Sequence, residues 1–182
     1  MQILKVYKHA NLHSRHLNTM KKTKPNAAGI IKWLFIILCT LMLAGFLFFK
    51  HLGTWSADIS PKLGVTNGQF AAMPETPNAV SSQTGIESKH VEPLPMTGSV
   101  KQTKNKILQC LQELGSNKIV TQNEDYIHAV FVSPIMKYHD DVEFFIDTTT
   151  QKVQFRSTSR VGKYDLGANR ARYDAFKKLY LR

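Results

Sequence analysis

The run DDVEFFIDTTTQKVQFRSTSR, residues 140–160, decides the fold of this chain. Two stretches rich in Val, Ile and Phe lie on either side of the polar segment Thr148–Gln151, a pattern that is typical of a β-hairpin. Pairing Asp147 with Lys152 across that segment fixes which residues of the two strands lie opposite each other. The sequence therefore predicts an antiparallel strand pair around which the rest of the domain packs.

This pairing assigns the side chains of the hairpin to two faces, because successive strand residues point to opposite sides of a sheet. It places Phe144 opposite Phe155 and Glu143 opposite Arg156. The face predicted to be apolar carries Val142, Phe144, Ile146, Val153 and Phe155. The other face is predicted to be charged and carries Asp141, Glu143 and Arg156.

Two helices are predicted on either side of the strand-rich region. Ser99 and Gln102 have the spacing of a capping box and Gly115 is a suitable stop, so a helix is expected over residues 100–114. A second helix is expected over Ala168–Leu181, with an apolar stripe formed by Ala168, Ala171, Ala175, Phe176 and Leu179.

Four strand-like runs lie between these helices, at residues 118–121, 126–132, 141–147 and 153–157. Strands that are joined by short loops pair in antiparallel fashion. The predicted fold class is therefore α+β, a small antiparallel sheet of about four strands covered by two helices, behind one N-terminal transmembrane helix.

The segment Trp33–Phe49 is a run of 17 residues without a charge. As a helix it is about 26 Å long, and Gly29–Ile31 extend it past Lys32, whose stem can reach the interface. We expect an uncleaved membrane anchor over residues 29–50, because a soluble helix would show a polar face. A cleaved signal peptide is the alternative, whereas a lipoprotein signal is excluded because Phe46 stands where the acylated cysteine is required.

The charge of the chain is concentrated near its N-terminus. The 182 residues include 24 Lys and Arg and 13 Asp and Glu, for a net charge of +11. Residues 1–32 hold seven of the basic residues and no acid, whereas residues 51–182 hold 16 basic and all 13 acidic residues. This distribution argues against a nucleic-acid-binding domain.

The same distribution predicts the topology. By the positive-inside rule, residues 1–28 are expected to be a basic cytoplasmic tail, and residues 51–182 are expected to lie outside. In a bacterium this means a single-pass protein of the inner (cytoplasmic) membrane with its C-terminal domain in the periplasm. The expected topology is the same whether translation starts at Met1 or at Met20.

The segment 51–98 is expected to be a linker and irregular lead-in, because it holds five of the seven prolines. Regular structure is expected to begin near Ser99, which predicts the core of the domain over residues 99–182. Cys39 lies in the apolar run and Cys110 in the domain, so the two thiols cannot pair and no cysteine-based metal site is expected.

Polar residues in the hairpin and in the helix that follows it form the candidate site. The candidate catalytic residues are Asp141 and Glu143, and the candidate ligand-binding residues are Arg156, Arg160, Asp165, Asn169 and Arg172. One interpretation is structural, with cross-strand ion pairs and an arginine that braces the helix on the sheet. A second is an anion site in which the arginines act together with the N-terminus of the last helix.

Two further interpretations assign chemistry to the acidic residues. Asp141 or Glu143 would act as a general base, although neighbouring arginines favour the ionised form of both. A Mg²⁺ or Ca²⁺ site would use His139, Asp140, Asp141 and Glu143, but adjacent strand residues point to opposite faces and do not converge. We expect no metal and no cofactor.

The longer run 140–172, DDVEFFIDTTTQKVQFRSTSRVGKYDLGANRAR, resembles the signature of the domain-of-unknown-function family 1499. Asn78–Gln83 resembles the opening motif of that family, and the resemblance covers about residues 61–182. It implies an α+β domain of bacterial envelope and plant plastid proteins, often behind a membrane anchor or signal, and it implies no established activity. Family members typically have two cysteines where Met73–Ala79 has none, so we expect no redox role.

These observations predict a single-pass, membrane-anchored envelope protein whose domain is a non-catalytic binding or assembly module. The expected partners are the lipid bilayer, through residues 29–50, and an anionic ligand or another envelope protein. The alternative function is an enzyme that uses Asp141 or Glu143 as general base, with Arg160 holding an anionic substrate.

Overall fold

The computed structural model describes residues 26–182, so the predicted tail, residues 1–28, lies almost entirely outside the described range. The first helix, α1, spans Ala27–Trp55, and its most apolar stretch is exposed along its whole length. By length and composition α1 can cross a membrane or serve as a signal sequence. The chain divides into two compact units after Ala44, and the second unit, Gly45–Arg182, contains the rest of the fold.

This second unit contains eight strands and two further helices within the described residues. The strands are β1 Val65–Thr66, β2 Gln69–Phe70, β3 Ala79–Ser81, β4 Leu94–Pro95, β5 Asn117–Gln122, β6 Tyr126–Val132, β7 His139–Asp147 and β8 Lys152–Ser159. The helices are α2 Val100–Leu114 and α3 Ala168–Tyr180, and single 3₁₀ turns lie at Ser56–Asp58 and Glu87–Lys89.

Six of these strands form one antiparallel sheet. Its order is β3-β8-β7-β6-β5, with β4 also paired to β8, whereas β1 and β2 pair only with each other. The α+β class is confirmed. The sheet has two more strands than expected, because β3 and β4 are only three and two residues long and are too short to show an alternating pattern.

The hairpin β7–β8 has the predicted register. Asp147 pairs with Lys152, Phe144 with Phe155 and Glu143 with Arg156. The face predicted to be apolar is fully buried, and the rings of Phe144 and Phe155 lie 5.3 Å apart in an edge-to-face arrangement. The pairing thus places the apolar and the charged side chains on opposite faces of the sheet.

Helices α2 and α3 both pack on the apolar face. The capping box at the start of α2 is formed, because the Ser99 hydroxyl accepts the Gln102 amide while the Gln102 side chain accepts the Ser99 amide. The predicted stripe of α3 is partly wrong, since its three alanines are exposed. The buried face of α3 consists instead of Asn169, Tyr173, Phe176 and Tyr180.

The segment 51–98 differs from the expectation of a linker. Regular structure begins before Ser99, and Val80, Val91 and Leu94 belong to the buried core. Its many prolines leave few backbone N–H groups for long strands, so the segment packs mainly as irregular chain. It therefore belongs to the folded domain and contributes part of the hydrophobic core.

Candidate functional site

The charged face of the sheet is covered by the segment that follows α1. Glu143 has a fully buried side chain, and its Oε2 lies 3.3 Å from Nε of Arg156. Its Oε1 accepts hydrogen bonds from the Tyr126 hydroxyl and from the backbone N–H of Gly64, both at 2.7 Å. Burial and the bond to Glu143 raise the pKa of Tyr126 well above its usual value.

Asp141 is held by the side chains of Arg160 and His128. Arg160 donates to both carboxylate oxygens at 2.9 Å, and Nε2 of His128 lies 2.8 Å from Oδ1. Burial works to raise the pKa of Asp141, but the bonds from His128 and Arg160 and the positive charge of Arg160 outweigh it and lower that pKa. Asp141 is therefore ionised and bonded on both oxygens.

The two arginines of this face also bind backbone carbonyl groups of the covering segment. Arg156 donates to the carbonyl oxygens of Ala71 at 2.6 Å and of Lys62 at 2.9 Å. Arg160 donates to the carbonyl oxygen of Ala57 at 3.0 Å. Each guanidinium group thus joins a buried carboxylate to the chain that leads from α1 into the domain.

Arg172 lies on the opposite, helix-covered face of the sheet. Its Nη2 donates to Asp140 at 2.6 Å, and its Nη1 donates to the side chains of Asn169 at 2.7 Å and Ser157 at 3.0 Å. The guanidinium group also lies 4.7 Å from the centre of the Phe131 ring. Arg172 braces α3 on the sheet, as the structural interpretation predicts.

Asn169 and Asp165 organise the start of α3. Asn169 is fully buried, and its Nδ2 donates to the backbone carbonyl of Asn78 and to the Ser159 hydroxyl. Asp165 accepts the backbone N–H groups of Gly167 at 3.1 Å and Asn169 at 2.9 Å. The carboxylate of Asp165 therefore occupies the end of the helix where the second interpretation expects a bound anion.

The predicted site residues do not form one cluster. Strand alternation divides them between the two faces: Arg156 and Arg160 lie on one, and Arg172 lies on the other. The same alternation separates Asp140 from Asp141, and among residues 26–182 no group of three acidic, His or Cys side chains is suited to a metal. The chain's own groups hold each of the seven candidate residues in place.

A cleft of about 330 Å³ lies beside the start of α3. Its walls include Pro77, Tyr164, Leu166 and Arg170, and Leu166 is 99% exposed. Arg170 donates from Nη2 to the backbone carbonyls of Ser88 and His90. Arg170 is not among the residues predicted for the site, because it lies outside the predicted apolar stripe and backbone carbonyl partners have no signature in a sequence.

Lys89 holds the segment Met73–Ala79, in which family members typically have two cysteines and this chain has none. It is 4% exposed, and its Nζ donates to the backbone carbonyls of Pro74 at 2.6 Å and Glu75 at 3.0 Å. An ammonium group at this depth needs strong acceptors, which the two carbonyls supply. The buried lysine thus fixes the loop that forms one wall of the cleft.

The fold and its ion pairs define a small α+β domain that follows one apolar helix. The family described as "Protein of unknown function (DUF1499)" matches residues 69–179, and the chain belongs to this family. No curated protein matches the chain significantly. No solved structure does so either.

Proposed function

We propose that this protein is a single-pass protein of the bacterial inner membrane whose domain lies in the periplasm and binds an anionic ligand or envelope partner without catalysis. The apolar helix α1 and the basic residues that precede it support the anchor and its orientation. The binding function is inferred from the cleft beside Arg170. This cleft is open, and the guanidinium group of Arg170 has N–H donors that no group of residues 26–182 accepts.

The acidic side chains are poorly suited to catalysis. A general base must reach a substrate proton at hydrogen-bond distance. Asp141 and Glu143 are 1% and 0% exposed, and their oxygens face arginine, histidine, tyrosine and a backbone N–H group. Arg160, the proposed substrate holder of the enzyme alternative, is already shared between Asp141 and the carbonyl of Ala57. These contacts favour the binding module over the enzyme.

Arg170 is the best ligand-binding candidate in the described chain. Arg156, Arg160 and Arg172 each hold a carboxylate of this protein. The two hydrogen bonds of Arg170 within residues 26–182 both leave from Nη2, so Nη1 and Nε are available to a carboxylate or phosphate group. The volume of the cleft is at the lower end of the range for small-molecule sites.

Calorimetric titration of the full chain in detergent with inorganic phosphate, acetate and glycerol phosphate tests this proposal. We expect binding of at least one of these anions, and a roughly tenfold or larger increase in Kd in Arg170→Gln, because a charge-assisted hydrogen bond contributes about 1.5–3 kcal/mol. Lys178→Gln removes the same charge from an exposed position of α3 and is the matched control. Absence of binding at millimolar concentration, or equal losses in both variants, would contradict the proposed site.

A further inference from the structure

The last turn of α1 is packed directly on the β6–β7 turn. Gly53 is buried, and a Cβ atom at this position would collide with the backbone carbonyl of Met136. Three residues later, the Ser56 hydroxyl accepts the backbone N–H of His139 at 3.0 Å. The end of the apolar helix and the turn thus contact each other through a close backbone approach at Gly53 and a hydrogen bond to the Ser56 side chain.

The turn itself is tightly held and has an apolar tip. The backbone N–H of Lys137 donates to the Ser133 carbonyl, and the backbone N–H of Tyr138 donates to the Ser133 hydroxyl. We call Pro134–Lys137 the tip loop. Ile135, at its centre, is 66% exposed, and no residue of the described chain covers it. A single exposed isoleucine is ordinary on a protein surface, so the case for an apolar partner depends on where this turn lies.

The position of the tip loop along α1 suggests that partner. Gly53 follows the end of the charge-free run, Phe49, by four residues, which is about 6 Å along a helix. The polar layer on each side of a hydrocarbon core is about 5–8 Å thick. If α1 spans the bilayer, the contact between Gly53 and Met136 therefore lies in the headgroup layer or at its outer edge.

Residues around this contact have the chemistry of a membrane interface. Trp55 is 51% exposed on the last turn of α1. Lys50 lies three residues before Gly53 and Lys137 directly follows Met136, and both lysines are exposed. The exposed acid Asp58 lies three residues after Trp55. Tryptophan and lysine are enriched where a protein meets the headgroups, and basic side chains are attracted to anionic lipids.

We propose that the tip loop is a second membrane contact, with Ile135 inserted among the lipids at the surface of the bilayer that α1 spans. This inference rests on the proposed function, because it requires α1 to be a membrane span. The helix and the tip loop then fix the domain to the membrane at two neighbouring points.

A fluorescence experiment on the full chain tests this contact. The protein is reconstituted in vesicles of phosphatidylcholine and phosphatidylglycerol, and a nitrobenzoxadiazole dye is attached to Ile135→Cys in a Cys39→Ala background. Val120→Cys is the matched control, because Val120 is also an exposed apolar residue but lies on the edge strand β5. Cys110 is buried and stays in place.

We expect the dye at position 135 to lose most of its fluorescence when nitroxide groups are placed on the lipid headgroups or high on the acyl chains. The dye at position 120 is expected to keep its fluorescence and to be quenched by aqueous iodide. Equal behaviour of the two positions overturns the second membrane contact. Protection of position 135 from both iodide and nitroxide lipids also overturns it, since a protein surface would then cover the loop.

A third label separates this inference from the proposed function. In the otherwise unchanged chain the dye is attached to Cys39, which lies in the apolar run of α1. Quenching of that dye by nitroxides deep in the acyl chains supports the membrane span. If the dye at Cys39 is quenched and the dye at position 135 is not, only the tip-loop contact fails. If the dye at Cys39 is not quenched, the proposed anchor itself fails.

Discussion

Arg160 connects three separate parts of the polypeptide. Its guanidinium group pairs with Asp141 of β7, extends from the end of β8 and binds the carbonyl of Ala57 just after α1. The side chains of Arg160 and Asp141 are 11% and 1% exposed, so water screens their interaction little. Loss of the arginine would leave a buried carboxylate with the ring of His128 as its remaining side-chain partner.

Arg160→Ala is therefore expected to lower the free energy of unfolding by roughly 3–5 kcal/mol, the usual result of removing one partner of a buried ion pair. Urea unfolding of the domain in the detergent-solubilised chain measures this loss. Arg182→Ala is the control, because Arg182 pairs with Glu113 in an exposed position and should change stability by less than about 1 kcal/mol. Equal effects of the two substitutions would show that the buried pair does not support the fold.

The contacts of single residues also show which features of the site could be predicted from the sequence and which could not. The opposition of Glu143 and Arg156 was predictable, because strand pairing alone determines it. The bonds from Arg156 to the carbonyls of Lys62 and Ala71 were not, since any residue type supplies a carbonyl. The charged face of the hairpin was therefore predictable from the sequence, whereas the segment after α1 that covers this face was not.

Among the elements, the long ones were predictable and the short ones were not. Strands β7 and β8 have nine and eight residues, enough for an alternating pattern to be recognised. Helix α2 was predicted with its observed bounds because its capping box and stop residue are local signals. Strands β3 and β4 depend on pairing with β8, which is a tertiary interaction that leaves no local periodicity.

In helix α1, replacing a glycine by alanine is expected to have the opposite of its usual effect on stability. Gly→Ala in a helix normally stabilises by up to about 1 kcal/mol. Gly53→Ala is expected to destabilise the domain instead, because its methyl group would push the backbone of Met136 away. Hydrogen exchange at the amide of His139 should accelerate, since that amide bonds to Ser56 in the same contact.

Gly45→Ala is the matched control for this substitution. Gly45 lies in the same helix, and a Cβ atom there would meet no other group within 4 Å. Exchange at the His139 amide should therefore be unchanged in Gly45→Ala. If Gly53→Ala also leaves that exchange unchanged, the end of α1 is not packed on the β6–β7 turn as described.

At the scale of the whole molecule, the chain combines a basic N-terminal flank, an apolar helix and a nearly neutral domain. A cluster of basic residues on one side of a membrane span determines which side stays in the cytoplasm, whereas charges far from the span contribute little. The apolar core residues of the domain are buried inside it, so they do not insert into the membrane and do not set the orientation of the chain. The orientation is therefore expected to depend on the flank alone.

Replacement of the four lysines that most closely precede the apolar run, Lys21, Lys22, Lys24 and Lys32, by alanine is therefore expected to disturb the topology. With alkaline phosphatase fused after Arg182, the native chain should be active, because this enzyme requires export, and the variant should lose a large part of that activity. Four exposed or half-buried lysines of the domain, Lys101, Lys104, Lys106 and Lys118, replaced together, are the control and should leave activity unchanged. If the native fusion is inactive, the domain does not lie outside the membrane. If both quadruple variants retain full activity, something other than the basic flank fixes the orientation.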